Sequence, residues 1–468
     1  MTTSASSTRR KGGRAPAPAG HRCTECGWTS VKWVGRCGGC QAWGTVSEID
    51  GAPAGRTRPA GNVARPARPI GEVDATAAQA TSTGVPEFDR VLGGGLVKGA
   101  VALVTGEPGI GKSTLLLDVA ARAARLGQTV LYVTGEESAA QVRLRAERID
   151  AVADNLYLAA ESDLGTVLAQ IDRLSPDLFV LDSVQTISST EVEGAAGNVS
   201  QVREVAAAVI GAAKERDLST LLVGHVTKDG GIAGPRVLEH LVDVVVQFEG
   251  DRHTRLRLVR AVKNRYGPTD EVGCFDLGER GILGLTDPSG LFLSSRDMEV
   301  PGTSVTVTLE GRRPLVCEVQ ALLSKAGGGS PRRTTSGLDN SRIAMVLAVL
   351  DKHVRMPVGE CDCYVSTVGG VRLTEPASDL ATAMAMASSL ADRPIPRGTV
   401  VIGEVGLAGE LRPTAGVARR LAEAGRLGFT QALVPAGSVE AGDMPRGLQV
   451  HQVQRLADAV RGLIGSGR

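Results

Sequence analysis

The chain has 468 residues, with 52 Lys and Arg against 51 Asp and Glu and a net charge of +1. That length allows about two to four domains, and the near-neutral balance excludes a polyelectrolyte, so any contact with nucleic acid must come from a local patch. No apolar run approaches the roughly 18–20 residues that a membrane helix needs. The first twenty residues have no apolar centre of the secretory kind, so the sequence reads as cytoplasmic.

Residues 1–22 are rich in Ser, Arg, Pro and Ala and read as a disordered tail. Cys23-Thr-Glu-Cys26 and Cys37-Gly-Gly-Cys40 follow. Two such knuckles can bring four thiolates into a tetrahedron around Zn²⁺, and the metal then supplies most of the folding free energy of so short a segment. Gly38 and Gly39 suit a tight turn that offers backbone N–H groups to sulfur. Arg22, Lys32, Trp33 and Arg36 can touch nucleic acid or a neighbouring subunit, and the spacing does not choose between them. Residues 50–70 are Pro-, Gly-, Ala- and Arg-rich and read as an extended linker.

Beyond residue 71 the pattern alternates between strand and helix, which predicts an α/β layered domain. Strands are expected over 101–105, 129–134, 155–159, 178–182, 219–225, 242–248 and 255–262. Helices are expected over 113–126, 138–148, 163–174 and 199–216. From the end of the first strand into the first helix run Gly106, Glu107, Pro108, Gly109, Ile110, Gly111, Lys112, Ser113 and Thr114. They fit the phosphate-binding pattern G-x-x-x-x-G-K-[ST] in the strand–loop–helix setting it requires. Backbone N–H groups and the helix N-terminus can cradle phosphate oxygens. Lys112 can reach the terminal phosphates of ATP, and Ser113 can ligate Mg²⁺.

Three strand ends complete this reading. Asp182 closes an apolar strand and is expected to be the second Mg²⁺ partner. Glu136 and Glu137 close an adjacent strand. Either can activate water and Glu136 is favoured, while Glu137 also suits a helix N-terminus. His225 ends a third strand, in position to sense the γ-phosphate. Lys228 and Arg236 lie in the Gly-rich stretch that follows and can contact DNA phosphates.

Lys263-Asn264-Arg265-Tyr266-Gly267 resembles the KNRFG signature of the bacterial RadA (Sms) recombination and repair family, with Tyr266 where the family has Phe. The resemblance covers nearly the whole chain. It implies a RecA-like P-loop ATPase core over 71–300, an N-terminal four-Cys zinc finger over 23–49, a connector over 301–338, and a C-terminal α+β Lon-protease-like domain over 339–468. It further implies a hexameric, nucleoid-associated, ATP-driven motor on single-stranded and branched DNA that promotes branch migration with RecA. Lys263 and Arg265 would then reach a neighbour's nucleotide in trans.

In the last third, a helix is expected over 340–354, a strand from Cys363, a helix over 377–390, a strand over 399–403 and a helix over 417–427. Residues 324–338 read as a linker or loop. Ser378 sits roughly where Lon-like peptidases keep their nucleophile. Their lysine would follow Ala415-Gly416, but the matching position is Ala418, with Arg419 and Arg420 after it. Arginine stays protonated and cannot serve as a base. The domain therefore reads as an inactive scaffold for oligomerisation and DNA contact. Cys361 and Cys363 have no second pair and are not expected to bind metal. Two other readings are an ATP-dependent Lon-like serine peptidase and a nucleotide-switched scaffold without motor activity.

Overall fold

A computed structural model describes residues 20–48, 67–72, 78–225, 237–250, 255–288, 292–293, 299–327, 330–440 and 444–465. Lys228 and Arg236 lie outside the described residues, as do most of the predicted tail and linker. The chain divides into two compact units, Met1–Asp74 and Ala75–Arg468.

The first unit is a three-stranded sheet of β1 (His21–Cys23), β2 (Thr29–Ser30) and β3 (Val46–Glu48), with β1 in the middle. Its core is Cys23, Cys37 and Val46, with Trp28 and Val34 packed against them. So few apolar groups cannot offset the chain entropy of ordering the segment.

The second unit opens with a short antiparallel pair, β4 (Ala80–Thr81) and β5 (Leu96–Val97), enclosing helix α1 (Pro86–Leu92). Then come β6 (Val101–Gly106), α2 (Lys112–Arg125), β7 (Val130–Thr134), α3 (Ala139–Arg148), β8 (Leu156–Ala160), α4 (Leu164–Leu174), β9 (Leu178–Asp182), α5 (Val199–Arg216), β10 (Ser219–His225), β11 (Val244–Glu249), β12 (Leu256–Asn264), β13 (Val272–Gly278) and β14 (Gly281–Gly284). They form one sheet in the order β14-β13-β12-β11-β6-β10-β9-β7-β8. The run from β11 to β8 is parallel and the other edge is antiparallel. Helices α2 and α3 cover one face, and α4 and α5 the other. Within β6, Ala102 and Val104 join the first core while Val101 and Leu103 join the second. A strand buried on both faces needs an apolar residue at every position, which is why these strands read as continuous Val/Leu runs.

The stretch 301–338 is not a connector. It holds β15 (Thr303–Glu310), β16 (Arg313–Lys325) and β17 (Arg333–Ser336). The remaining elements are α6 (Asn340–Val349), β18 (Cys361–Thr367), α7 (Asp379–Ala391), β19 (Thr399–Val401), the hairpin of β20 (Glu404–Val405) and β21 (Leu411–Arg412), α8 (Val417–Arg426), β22 (Gln431–Pro435), β23 (Gln449–Val453) and α9 (Leu456–Leu463). The second sheet runs β17-β18-β16-β15-β19-β22-β23, so the β15–β16 hairpin lies inside it. Its pattern has period two: Leu315, Cys317, Val319, Ala321 and Leu323 all enter one core. The expected linker 324–338 includes the edge strand β17, which pairs with β18. The expected helix 340–354 leaves α-geometry at Val349 and finishes in a wider turn over Leu350–Val354. Among the described residues, no helix is long and apolar enough to cross a membrane.

The tip of the β15–β16 hairpin joins the two sheets. Arg313 is buried and pairs with buried Glu87 of α1, and it donates to the carbonyls of Val272 at 3.2 Å, Leu285 at 2.7 Å and Thr286 at 3.0 Å. Arg260 of β12 bridges Glu249 at 2.9 Å and Glu310 at 3.0 Å. Removing one member of a buried pair strands the other charge. Arg313→Ala is therefore expected to lower stability by about 3–5 kcal/mol, read by urea unfolding. The double change Glu87→Leu with Arg313→Leu should cost less than the single one.

Candidate nucleotide site

Parallel strands place their carboxyl ends on one edge. In register, Gly106 of β6 faces His225 of β10, and Asp182 of β9 faces Thr134 of β7. Gly111 has φ +113°, which side chains disfavour, and it turns the chain into α2. Lys112 opens that helix. It is buried, and its Nζ donates to the carbonyls of Gly106 at 2.9 Å and Glu107 at 3.0 Å. The ammonium thus lies inside the loop, where phosphate oxygens can replace these carbonyls. Burial pulls its pKa down to about 8, against the pull of Asp182 and Glu136.

Two carboxylates share the pocket with Lys112. Asp182 is buried, and Oδ2 accepts a 2.6 Å hydrogen bond from the Tyr132 hydroxyl. Oδ1 has no partner among the described residues. A buried carboxylate oxygen without a donor is one that a cation or its water would satisfy. Glu136 Oε1 accepts from Ser183 Oγ at 2.6 Å and lies 3.0 Å from His225 Nε2, a short contact that is poorly aligned as a hydrogen bond. The His225 ring, against burial and with help from Ser183, holds the Glu136 carboxyl down to about 2, so it is ionised near neutral pH. Glu137 points elsewhere and pairs with Arg145 of α3. The two adjacent glutamates therefore differ: one faces the loop lysine and the other secures a helix.

Tyr132 and Ser183 were not singled out in the sequence. The signal for Tyr132 was a lone polar group in the apolar run 130–133, since a buried hydroxyl needs a partner.

In the first unit, Cys23 and Cys40 Sγ are 3.7 Å apart and Cys26 and Cys37 Sγ 3.5 Å apart, and all four sulfurs fall within 4.8 Å. Four ligands about 2.3 Å from one Zn²⁺ would be spaced by about 3.8 Å, so the donor set fits. Gly39 N–H donates to Cys37 Sγ at 3.3 Å. A Cβ on Gly38 would lie 2.5 Å from the Trp28 ring, so this glycine admits the indole. The Thr45 hydroxyl, then the Cys26 backbone, lowers the Cys23 thiol to about 6. Among the described residues this is the one cluster of metal-ligating groups of its kind.

The signature residues sit at the opposite end of the sheet. Asn264 pairs with Val244, which lies beside Ala102 at the start of β6. Ala102 is roughly 13 Å along the strand from Gly106. Lys263 Nζ donates to the carbonyls of Glu239 and Val242, each at 2.8 Å. Arg265 meets Asp243 at 3.0 Å, and Lys214 meets it at 2.6 Å. Asp243 is buried, which works the other way, but Lys214, the Val101 N–H and Arg265 hold its carboxyl below the usual range. Asn264 donates to the Leu92 carbonyl at 3.1 Å, and Gly267 packs backbone to backbone on Gly93, where a Cβ would lie 3.0 Å from Gly93 Cα.

An AAA domain model matches residues 66–231, a rubredoxin metal-binding model 21–48, and a model of the ChlI subunit of Mg-chelatase 368–438. DNA repair protein RadA of Mycobacterium tuberculosis is 56% identical over 425 residues, 90% of this chain and 88% of the relative. RadA of Mycolicibacterium smegmatis is 53% identical over 451 residues, 94% of this chain and 96% of the relative. That of Bacillus subtilis is 42% identical over 449 residues, 95% and 98%. The chain belongs to the RadA family of DNA repair proteins. It is accordingly an ATPase of DNA repair and recombination that carries a zinc ribbon.

Within this family member the C-terminal serine is tightly held. Ser378 is buried, and its hydroxyl donates to the Glu375 carbonyl at 3.0 Å. Arg420, also buried, forms a two-pronged pair with Glu375 at 2.5 and 2.7 Å and donates to the Val307 carbonyl at 2.6 Å. Glu375 also accepts from Thr308 and the Leu309 N–H. No lysine follows Lys352 in the sequence. Cys361 and Cys363 are buried in β18, and burial pushes Cys363 up to about 11.

All three tryptophans, Trp28, Trp33 and Trp43, belong to the zinc ribbon. A chelator is expected to red-shift the tryptophan emission as Trp28 leaves Gly38, while the main thermal transition of the intact chain stays in place. Emission spectra and calorimetry check this, and loss of both together would contradict it.

Proposed function

We propose that the chain is the subunit of a ring-shaped, DNA-dependent ATPase that drives branch migration alongside the RecA recombinase, with each nucleotide held between two subunits. The supporting observation is the position of the signature turn. Lys263 and Arg265 stand at the far end of the sheet from their own loop of residues 106–114, so the nucleotide they serve belongs to a neighbour. In the single chain both are bonded to carbonyls of Glu239 and Val242 and to Asp243, and assembly exchanges these contacts for phosphate.

In this reading Gly106–Thr114 wraps the phosphates, and Lys112 trades two backbone carbonyls for β/γ oxygens. Ser113 and Asp182 would hold Mg²⁺, which supplies charge neutralisation on the phosphates when bound. Tyr132 occupies one oxygen of Asp182 and leaves Oδ1 for that task. Glu136 orients the attacking water and accepts its proton as the water oxygen bonds to the γ-phosphorus and ADP leaves. His225, beside Glu136 and at the start of the 226–236 stretch, senses the γ-phosphate. A cation supplied in trans stabilises charge in the transition state and makes turnover depend on the subunit interface. The C-terminal domain acts as a scaffold, because Ser378 has no base within its hydrogen-bonding set and Arg420 is committed to Glu375.

Glu136→Gln is expected to keep ATP binding and to lower turnover by about 10²-fold or more, measured by phosphate release with and without single-stranded DNA. The shared site makes a sharper demand. Lys112→Ala and Lys263→Ala should each be inactive alone, yet a mixture should regain part of the DNA-stimulated turnover. It then pairs an intact loop with an intact finger. A mixture no better than its parts would rule out the trans role. Branch migration assayed with purified protein, RecA and ATP tests the wider reading, and an unchanged rate of strand movement would count against it.

A further inference from the structure

We propose that Trp33 and Trp43 of the zinc ribbon form a stacking site for unpaired bases of single-stranded DNA. The proposal rests on the reading that the chain acts on DNA.

The ribbon uses its three indoles in two ways. Trp28 closes the small core over Gly38 and Gly39. Trp33 and Trp43 do not: they are 63% and 75% exposed, next to Val31 at 62%. In a module with so little apolar surface to bury, leaving two of its largest apolar groups in water is a cost that folding alone does not explain.

The two rings are neighbours and are held in place. A Cβ added at Gly35 would lie 3.6 Å from Trp33 Cη2 and 3.8 Å from Trp43 Cζ3, so the indoles meet across a residue that offers no side chain of its own. Trp33 Nε1 donates to the Val46 carbonyl at 3.1 Å, which fixes that ring by its polar edge. Trp43 is bridged to Arg36, and Gly44 N–H donates to the Gly35 carbonyl at 3.0 Å. A platform already ordered loses little entropy when a base lands on it.

Charge favours a nucleic-acid occupant. The Arg36 guanidinium lies 5.7 Å from the Trp43 ring centroid and is steadied by Gln41 at 2.9 and 3.0 Å. Lys32 precedes Trp33, and residues 1–19 contain Arg9, Arg10, Lys11 and Arg14 with no acidic residue. Indole faces stack on any base, and flanking cations take the phosphates, which is the pattern of sequence-tolerant single-strand binding. Paired bases are already stacked on each other and offer these rings nothing.

The tryptophan emission of the intact protein reports this ribbon alone. Oligothymidylate is titrated while emission is recorded, and binding is followed in parallel by anisotropy of the same oligonucleotide carrying a dye. Emission should fall in step with binding, and an abasic strand of equal length should leave it unchanged. Trp43→Ala should bind about 10-fold more weakly while keeping its zinc, measured by metal release to a colorimetric chelator. Binding without any emission change overturns the stacking site and leaves DNA binding intact. Wild-type affinity in zinc-loaded Trp43→Ala does the same. An emission response to RecA but not to DNA would assign the indoles to a protein contact and overturn the proposal. No binding in either channel at low salt would remove the DNA reading itself.

Discussion

The first sheet buries both faces of its central parallel strands, and the chemistry of the candidate nucleotide site follows from that. Residues such as Val101 to Val104 alternate between two cores and leave no room for a charged side chain along the strand. Charged groups are expelled to the strand ends. At the carboxyl edge this gathers the phosphate loop, Glu136, Asp182 and His225 from four different strands. At the amino edge it gathers Asp243, Lys214, Lys263 and Arg265. One constraint thus builds two charged edges, and the proposed ring would bring the second edge of one subunit to the first edge of the next.

Buried charge elsewhere is used as a fastener. Glu87 with Arg313 ties the C-terminal sheet to the helix that precedes the loop strand, and the Leu92–Gly93 end of that same helix supports the signature turn. Arg420 with Glu375 ties helix α8 to the turn that carries Ser378. Such pairs add little net stability over an apolar substitute, but each holds one geometry because a stranded partner is costly. Tyr132 acts in the same spirit at Asp182: by occupying one oxygen it leaves the other available.

Much of the core was legible in the sequence. The strands at 178–182 and 219–225 and the helix at 199–216 have the bounds that their runs predict, because apolar period and helix caps are local properties. The β15–β16 hairpin was not, although Thr303–Glu310 alternates cleanly. The Gly- and Arg-rich residues after it suggested a linker, and a hairpin's place at the centre of a sheet depends on partners far along the chain. Glu136 was already favoured in the sequence, but the different surroundings of Glu136 and Glu137 were beyond local pattern. Both end the same strand, and only the positions of His225, Ser183 and Arg145 distinguish them.

The sequence by itself determined the phosphate loop, the four-cysteine metal set and the family signature, because each is a short run whose chemistry depends on spacing along the chain. The tertiary structure alone decided which carboxylate oxygen lacks a donor and that the signature turn lies at the far end of the sheet from its own loop. It also decided that Arg420 is spent on Glu375, and that two of three tryptophans stay in water around Gly35. Apart from the tryptophans, which lie close together within the ribbon, these are relations between strands and loops remote in sequence, set by packing and by the need to satisfy buried polar groups.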